Sequence, residues 1–203
     1  MSNDLALPTT SLDLAATDAS VLVVDDDRDL ADTYAVWLRE HVDVHVAYAG
    51  EDALDVLESE SVDVVLLDRR IPSLSGDDVL AAMRERGHDQ RVAMVTAIEP
   101  TPSVVELPVA DYLVKPVRRD ALESTVESLL SLAERPDAFQ TYFALQSTLA
   151  ALEAASQYRA GDDPAALAAL RERVAAERER ALASLEAGPL RPDADRSECH
   201  DAG

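Results

Sequence analysis

Four short stretches of this chain end in side chains suited to handling phosphate. Asp25, Asp26 and Asp27 follow the apolar run VLVV, Asp68 follows VDVVLL, Thr96 closes RVAMVT, and Lys115, with Pro116 behind it, closes DYLV. If these runs are strands of one parallel sheet, their ends share a rim, the place where open α/β sheets bind ligands. Two carboxylates about 4 Å apart repel by about 4 kcal/mol at an effective dielectric of about 20, and a third adds to it. One ammonium offsets part of this. The remainder calls for a hard divalent cation with oxygen ligands, which points to Mg²⁺. Mg²⁺ accepts one or two carboxylates and takes phosphate oxygens readily. The constellation therefore reads as a phosphate-handling site with a carboxylate as its available nucleophile.

Each residue also has a bland reading. With 40 acidic residues among 203, about eight adjacent acidic pairs arise by chance, so only the position of Asp25–Asp26 directly after a buried strand carries weight. Asp68 alone could cap a turn, Thr96 could be an ordinary β-branched strand residue, and Lys115–Pro116 an ordinary turn. The argument lies in their joint placement: all fall at strand ends and none falls mid-strand. Lys115 is also the only lysine, the other 17 cationic side chains being arginines. A compact ammonium differs from the planar guanidinium in shape and hydration, so its retention here fits a site that wants a point charge.

The formal net charge is -22, which argues against nucleic acid and anionic membranes as direct partners. A dense carboxylate surface is also what solvates a protein in a salt-saturated cytoplasm, so local acidic runs carry little meaning. Cys199 is the single cysteine; an intramolecular disulfide is excluded, and a reducing compartment fits. The segment 1–19 has no cationic start or long apolar core, and no apolar run approaches the roughly 18 residues of a membrane span. The expected location is cytoplasmic, with no membrane attachment.

Positioning the site requires strands alternating with helices. VLVV at 21–24, VDVVLLD at 62–68 and RVAMVTA at 91–97 read as strands buried on both faces. The stretch 42–47 alternates as an edge strand, and DYLVK at 111–115 is the fifth. Helical spacing places Leu30, Tyr34, Trp37 and Leu38 on one face, Ala53, Leu54 and Leu57 on a second, and Val79, Leu80 and Met83 on a third. Leu122, Val126, Leu129 and Ala133 mark a helix over 117–133. The reading is a doubly wound α/β domain with a five-stranded parallel sheet. Between the fourth and fifth strands, Pro100, Pro102 and Pro108 restrict any helix to about two turns, and the segment is expected to be irregular.

In order and spacing, VLVVDDD, VDVVLLDRRIP, MVTA and DYLVKP resemble the signature segments of CheY-like response regulator receiver domains, over about residues 20–134. The resemblance implies a flavodoxin-like sheet of order 2-1-3-4-5 and a sensor histidine kinase as partner. It implies that Asp68 is the phosphoacceptor and that Asp25, Asp26, Asp68 and the backbone carbonyl of Arg70 hold Mg²⁺. Thr96 and Lys115 would bind phosphoryl oxygens, with Tyr112 the aromatic switch that turns inward as Thr96 moves. The Lys115–Pro116 peptide would be cis, a state proline makes accessible. Such a protein is a signalling phosphoacceptor rather than an enzyme. Two departures stand out: Arg69 and Arg70 follow the phosphoacceptor and bring guanidinium groups near it, and the proline-rich interval replaces a full helix.

Residues 137–187 read as a separate helical hairpin, with Tyr142, Leu145, Leu149 and Leu152 on its first helix. Asp162 or Asp163 caps the second, Pro164 opens it, and it carries Leu167, Leu170, Val174, Ala181 and Leu185. The hairpin resembles the HalX domain found behind receivers in halophilic archaea. Residues 188–203 read as a disordered tail and 1–19 as a flexible leader. From Asp137 onward there are 7 basic and 12 acidic residues, and Arg171, Arg173, Arg178 and Arg180 interleave with Glu172, Glu177 and Glu179. This favours a solvated, paired face, so dimerisation or partner docking is expected over direct DNA binding. Three rivals remain: an aspartyl-phosphate phosphatase, which wants a second Asp where Arg70 stands; a nucleotide-binding protein, which wants a glycine-rich loop after the first strand; and a phosphorylation-independent scaffold with a vestigial receiver.

Overall fold

A computed structural model of the chain describes residues 18–98, 100, 109–132, 137–156 and 164–186. The elements run β1 (Ser20–Val24), α1 (Arg28–Leu38), β2 (Asp43–Ala47), α2 (Gly50–Ser59), β3 (Val64–Leu67), α3 (Gly76–Glu85), β4 (Arg91–Thr96), β5 (Asp111–Val114), α4 (Arg119–Ser131), α5 (Asp137–Ser156) and α6 (Pro164–Glu186). All strand pairs are parallel, in the order β2-β1-β3-β4-β5.

Side chains alternate between two buried layers, as a pleated strand requires. Leu22, Val24, Val65, Leu67, Val92 and Met94 face the side covered by α2 and α3. Val21, Val23, Val64, Leu66, Ala93 and Val95 face α1 and α4. Both faces of the central strands are covered, which is why these strands are apolar without a polar alternate.

Register places the strand ends together. Val24 pairs with Leu67, so Asp25 and Asp68 leave the sheet side by side. Thr96 pairs with Val114, so Lys115 emerges next to Thr96. Two of the helix starts at this rim, those of α1 and α3, are capped by side chains. The Asp27 side chain accepts the Leu30 N–H at 3.1 Å to begin α1, and Ser75 and Asp78 form a capping box at the start of α3, each a way to satisfy N–H groups that lack a partner in the first turn.

The C-terminal helices form an antiparallel pair. Phe139 and Tyr142 pack with Ala181, Leu145 and Leu152 pack with Leu170, and Arg171 pairs with Glu153 at 2.8 Å. The sequence reading assigned α5 this one apolar face; it has a second. Phe143 joins the core on the α1–α4 side, Ala151 joins the core on the α2–α3 side, and Ser147 donates to the Asp111 carboxylate of β5. The stripe 143–147–151 lays α5 across the open edge of the sheet, which an edge strand otherwise exposes.

Several expectations lie outside the described residues: the leader over 1–17, the interval 101–108 with Pro102 and Pro108, Ala133, the caps at Asp162 and Asp163, and the tail with Cys199. Among the described residues no helix separates β4 from β5. None of the described helices is long and apolar enough to cross a membrane.

Candidate functional site

Asp25 is 2% exposed and Asp68 6% exposed. Burying two carboxylates demands partners. Asp25 accepts the Asp27 backbone N–H at 3.1 Å and Asp68 accepts the Arg70 backbone N–H at 3.0 Å. Their other oxygens both accept from Lys115 Nζ, each at 2.6 Å. One ammonium from β5 thus bridges carboxylates from β1 and β3.

The electrostatics follow from that bridge. Burial raises the Asp25 pKa above its ordinary value, against the opposing pull of Lys115. Burial also disfavours the Lys115 ammonium, but the hydrogen bonds it donates to Asp25 and Asp68 outweigh it and hold its pKa high. Lys115 therefore stays charged between the two carboxylates.

Asp26 is exposed beside this pair. Ligand oxygens of Asp25, Asp26 and Asp68 lie within 4.8 Å of one another. Hard oxygen donors, two of them buried and one open to solvent, fit a divalent cation that keeps part of its water.

Thr96 is fully buried at the end of β4, and its hydroxyl accepts the Ile98 N–H at 3.3 Å. The Lys115 backbone N–H donates to the Thr96 carbonyl at 2.8 Å, and the Lys115–Pro116 peptide is cis, as the resemblance implied. The Tyr112 ring is buried, and its hydroxyl donates to the Ile98 carbonyl at 2.7 Å. The aromatic side chain is already directed inward.

The two arginines after Asp68 part company. Arg70 is exposed. Arg69 is partly buried and grips Asp77 of α3 through Nε at 3.0 Å and Nη2 at 2.7 Å. Burial raises the Tyr112 phenol pKa, and the nearby Arg69 charge opposes that rise.

Sequence reasoning missed Gly76. A Cβ there would stand 2.3 Å from the Asp68 carbonyl oxygen and 2.7 Å from the Arg69 Cα, while the Gly76 N–H donates to the Arg69 carbonyl at 3.0 Å. Only a residue without a side chain lets α3 abut the end of β3. A glycine immediately after the helix-capping Ser75 was the available signal. Ser73, in the same loop, has a positive φ of 70°, a conformation no sequence feature announced. Tyr34 of α1 was read as an apolar contact; burial above all raises the pKa of its hydroxyl, and the charges of Lys115, Asp25 and Asp68 also act on it.

Comparison with known proteins matches residues 21–127 to the response regulator receiver domain. A Haloferax volcanii protein, provisionally named a transcriptional regulator, is 50% identical over 176 residues, covering 85% of this chain and 30% of its own length. That match necessarily takes in part of the C-terminal helices. The transcriptional regulatory protein CutR of Streptomyces coelicolor is 40% identical over 113 residues, 54% of this chain and 52% of its own. The chain thus spans between about a third and about half the length of these relatives. Among solved structures, the receiver domain of Francisella response regulator 1452 superposes with a TM-score of 0.54 at 29% identity, covering 57% of this chain and 99% of that one. A CheY-like receiver from Methanospirillum hungatei JF-1 gives 0.53 at 25% identity, covering 58% and 98%.

Proposed function

Because this chain belongs to the response regulator receiver family through residues 21–127, we propose that it is a two-component response regulator whose Asp68 accepts a phosphoryl group from the phosphohistidine of a sensor kinase. The observation that carries this reading is the Lys115 ammonium held 2.6 Å from both Asp25 and Asp68.

In the proposed transfer an Asp68 carboxylate oxygen attacks phosphorus and forms a P–O bond. The P–N bond to the kinase imidazole breaks, its electron pair returns to the ring nitrogen, and that nitrogen takes a proton from solvent. Lys115 passes a hydrogen bond from the carboxylate to a phosphoryl oxygen, and the Thr96 hydroxyl takes another. Asp25, Asp26, Asp68 and the Arg70 carbonyl would hold Mg²⁺, which when bound supplies charge neutralisation for the phosphoryl oxygens. The protein's own part is positioning and charge; it turns over no other substrate.

Output is assigned to the C-terminal helices, because α5 lies directly on β5, the strand that carries Tyr112. Dimerisation or partner docking suits their mixed-charge surface, in keeping with the HalX resemblance. A second reading, regulation through DNA, is favoured by the names of the relatives, although Arg180 and Arg171, two cations that could meet phosphate, already pair with Glu177 and Glu153.

Incubation with acetyl phosphate and Mg²⁺ at high salt should add one phosphoryl mass to the wild type and none to Asp68→Asn. No adduct in the wild type, or an equal adduct in Asp68→Asn, would leave only the phosphorylation-independent scaffold.

A further inference from the structure

Helix α5 is occupied on two sides, by α6 through Phe139, Tyr142, Leu145 and Leu152 and by the receiver through Phe143, Ser147 and Ala151. Helix α6 is packed on one side only. Leu170 and Ala181 are buried against α5, with Leu167 and Val174 beside them. Turned the other way are Glu172 and Glu179, in one stripe with Ala169, Ala176 and Ala183, all exposed. Their alternating spacing of three and four residues is the seam along which a second helix packs. Arg173 and Arg180, also exposed, border it. Arg180 reaches Glu177 at 2.6 Å, whereas Glu172, Arg173 and Glu179 have no ion-pair partner among the described residues.

The charges on this face complement themselves. A twofold axis through Ala176, with two copies of α6 antiparallel, sets Glu172 level with the second copy's Arg180 and Arg173 level with its Glu179. Ala169 then meets Ala183, and Ala176 meets itself. A parallel pairing would instead set Glu172 against Glu172 and Glu179 against Glu179. Matching itself about a twofold axis is what an isologous interface demands of a single patch. The alanines let the helix axes come within about 8 Å, so that the long Arg and Glu side chains span the seam. We propose that the outer face of α6 is a homodimer interface, packed antiparallel on α6 of a second copy and held in register by the Glu172–Arg180 and Arg173–Glu179 pairs. This deepens the output reading above and rests on it for the role of the dimer in signalling. The net charge of -22 opposes association at low salt; at about 1 M salt repulsion is screened beyond about 3 Å, and contacts at the seam decide.

The test is sedimentation of the full chain at fixed high KCl, with and without Mg²⁺ and beryllofluoride, and the wild type should form dimers. Glu172→Arg with Glu179→Arg, and separately Arg173→Glu with Arg180→Glu, should each weaken association about tenfold, the joint effect of two exposed pairs and their symmetry mates. An equimolar mixture of the two double variants should recover wild-type association, because opposite charges meet again across the seam. Circular dichroism reports that each variant keeps its helices. In a Cys199→Ser background, Ala176→Cys should cross-link to itself on oxidation, since the axis brings its two copies within disulfide reach. Ala169→Cys should not cross-link to itself, but should do so with Ala183→Cys. A chain monomeric under both conditions, a dimer indifferent to both charge reversals, or self-linking of Ala169→Cys would overturn the proposal. A monomer that binds duplex DNA through Arg173 and Arg180 would overturn it too, and assign the face to nucleic acid. Failure of Asp68 to load, with the charge-swapped mixture still dimeric, strikes the receiver mechanism and leaves the interface standing; a monomer whose Asp68 loads strikes the interface alone.

Discussion

Replacing Lys115 by methionine removes the one cation between two buried carboxylates and nearly preserves side-chain volume. In the wild type Nζ lies 2.6 Å from each partner, with side chains only 13%, 3% and 8% exposed for Lys115, Asp25 and Asp68. Each contact is worth about 6 kcal/mol of attraction at an effective dielectric of about 20, most of it consumed by desolvation. Without the ammonium, carboxylate oxygens within 4.8 Å of one another repel by about 3.5 kcal/mol on the same basis. Breaking a buried pair by removing one partner costs about 3–5 kcal/mol, so a loss of that size is expected. Urea unfolding in chelator, at fixed high KCl, measures it. The Asp25 pKa is already raised by burial, and loss of Lys115 pushes it further up. A carboxyl whose folded pKa is raised binds its proton more tightly when folded, so its stabilisation is complete below the unfolded value and fades as pH rises through the folded one. The deficit should therefore shrink on acidification toward the ordinary carboxylate range. Mg²⁺ should stabilise Lys115→Met more than the wild type, since it meets a larger uncompensated charge. A deficit below about 1 kcal/mol in chelator, or equal Mg²⁺ increments in both proteins, would refute this account of the site.

Gly76→Ala forces a Cβ to within 2.3 Å of the Asp68 carbonyl oxygen; a loss of about 2–3 kcal/mol is expected in urea unfolding, with slower phosphorylation by acetyl phosphate. Phe143→Ala removes the α5 ring that packs with the α1–α4 core and should cost about 2 kcal/mol, with faster hydrogen exchange over 137–156 while β1 and β3 keep their protection. Tyr34 has a buried hydroxyl that meets no hydrogen-bond partner of good geometry among the described residues, and burial above all raises its pKa from 10.0. The neutral phenol stabilises the fold fully below the ordinary value, and that contribution disappears as pH rises through the folded one. Tyr34→Phe should be as stable as the wild type or about 1 kcal/mol more so at neutral pH, and should lose less on alkaline titration followed by circular dichroism.

The sheet and the acidic rim were legible because each rests on local pattern. Continuous β-branched runs signal strands buried on both faces, and in a parallel sheet the residue after such a run must sit at the rim. That placed Asp25, Asp68, Thr96 and Lys115 without coordinates. Gly76 and Arg69 were not legible in the same way. The first answers to a backbone approach between segments that only the tertiary fold brings together. The second pairs with Asp77, 8 positions away in sequence, and an acid-rich chain offers many alternative partners. Two adjacent arginines follow Asp68, and nothing in the sequence says which of them turns toward α3.

The second face of α5 was hidden for a related reason. A helix carrying one apolar stripe has an obvious periodicity, but α5 carries two, 139–142–145–149–152 toward α6 and 143–147–151 toward β5. Two stripes blur into an apolar helix with no dominant side, the pattern of a helix buried between layers. Reading only the first suggests a detached hairpin; the second fixes α5 to the receiver. Along β5, pleating sends successive residues to opposite faces. Asp111 is held by Thr125 of α4 at 3.1 Å and by Ser147 of α5, while the next residue, Tyr112, faces the site with its hydroxyl on Ile98. One strand therefore carries, on adjacent residues, the contact to the C-terminal helix and the ring hydrogen-bonded to the turn after Thr96. Coupling between them needs no relay of side chains across the molecule, only a change in how β5 sits.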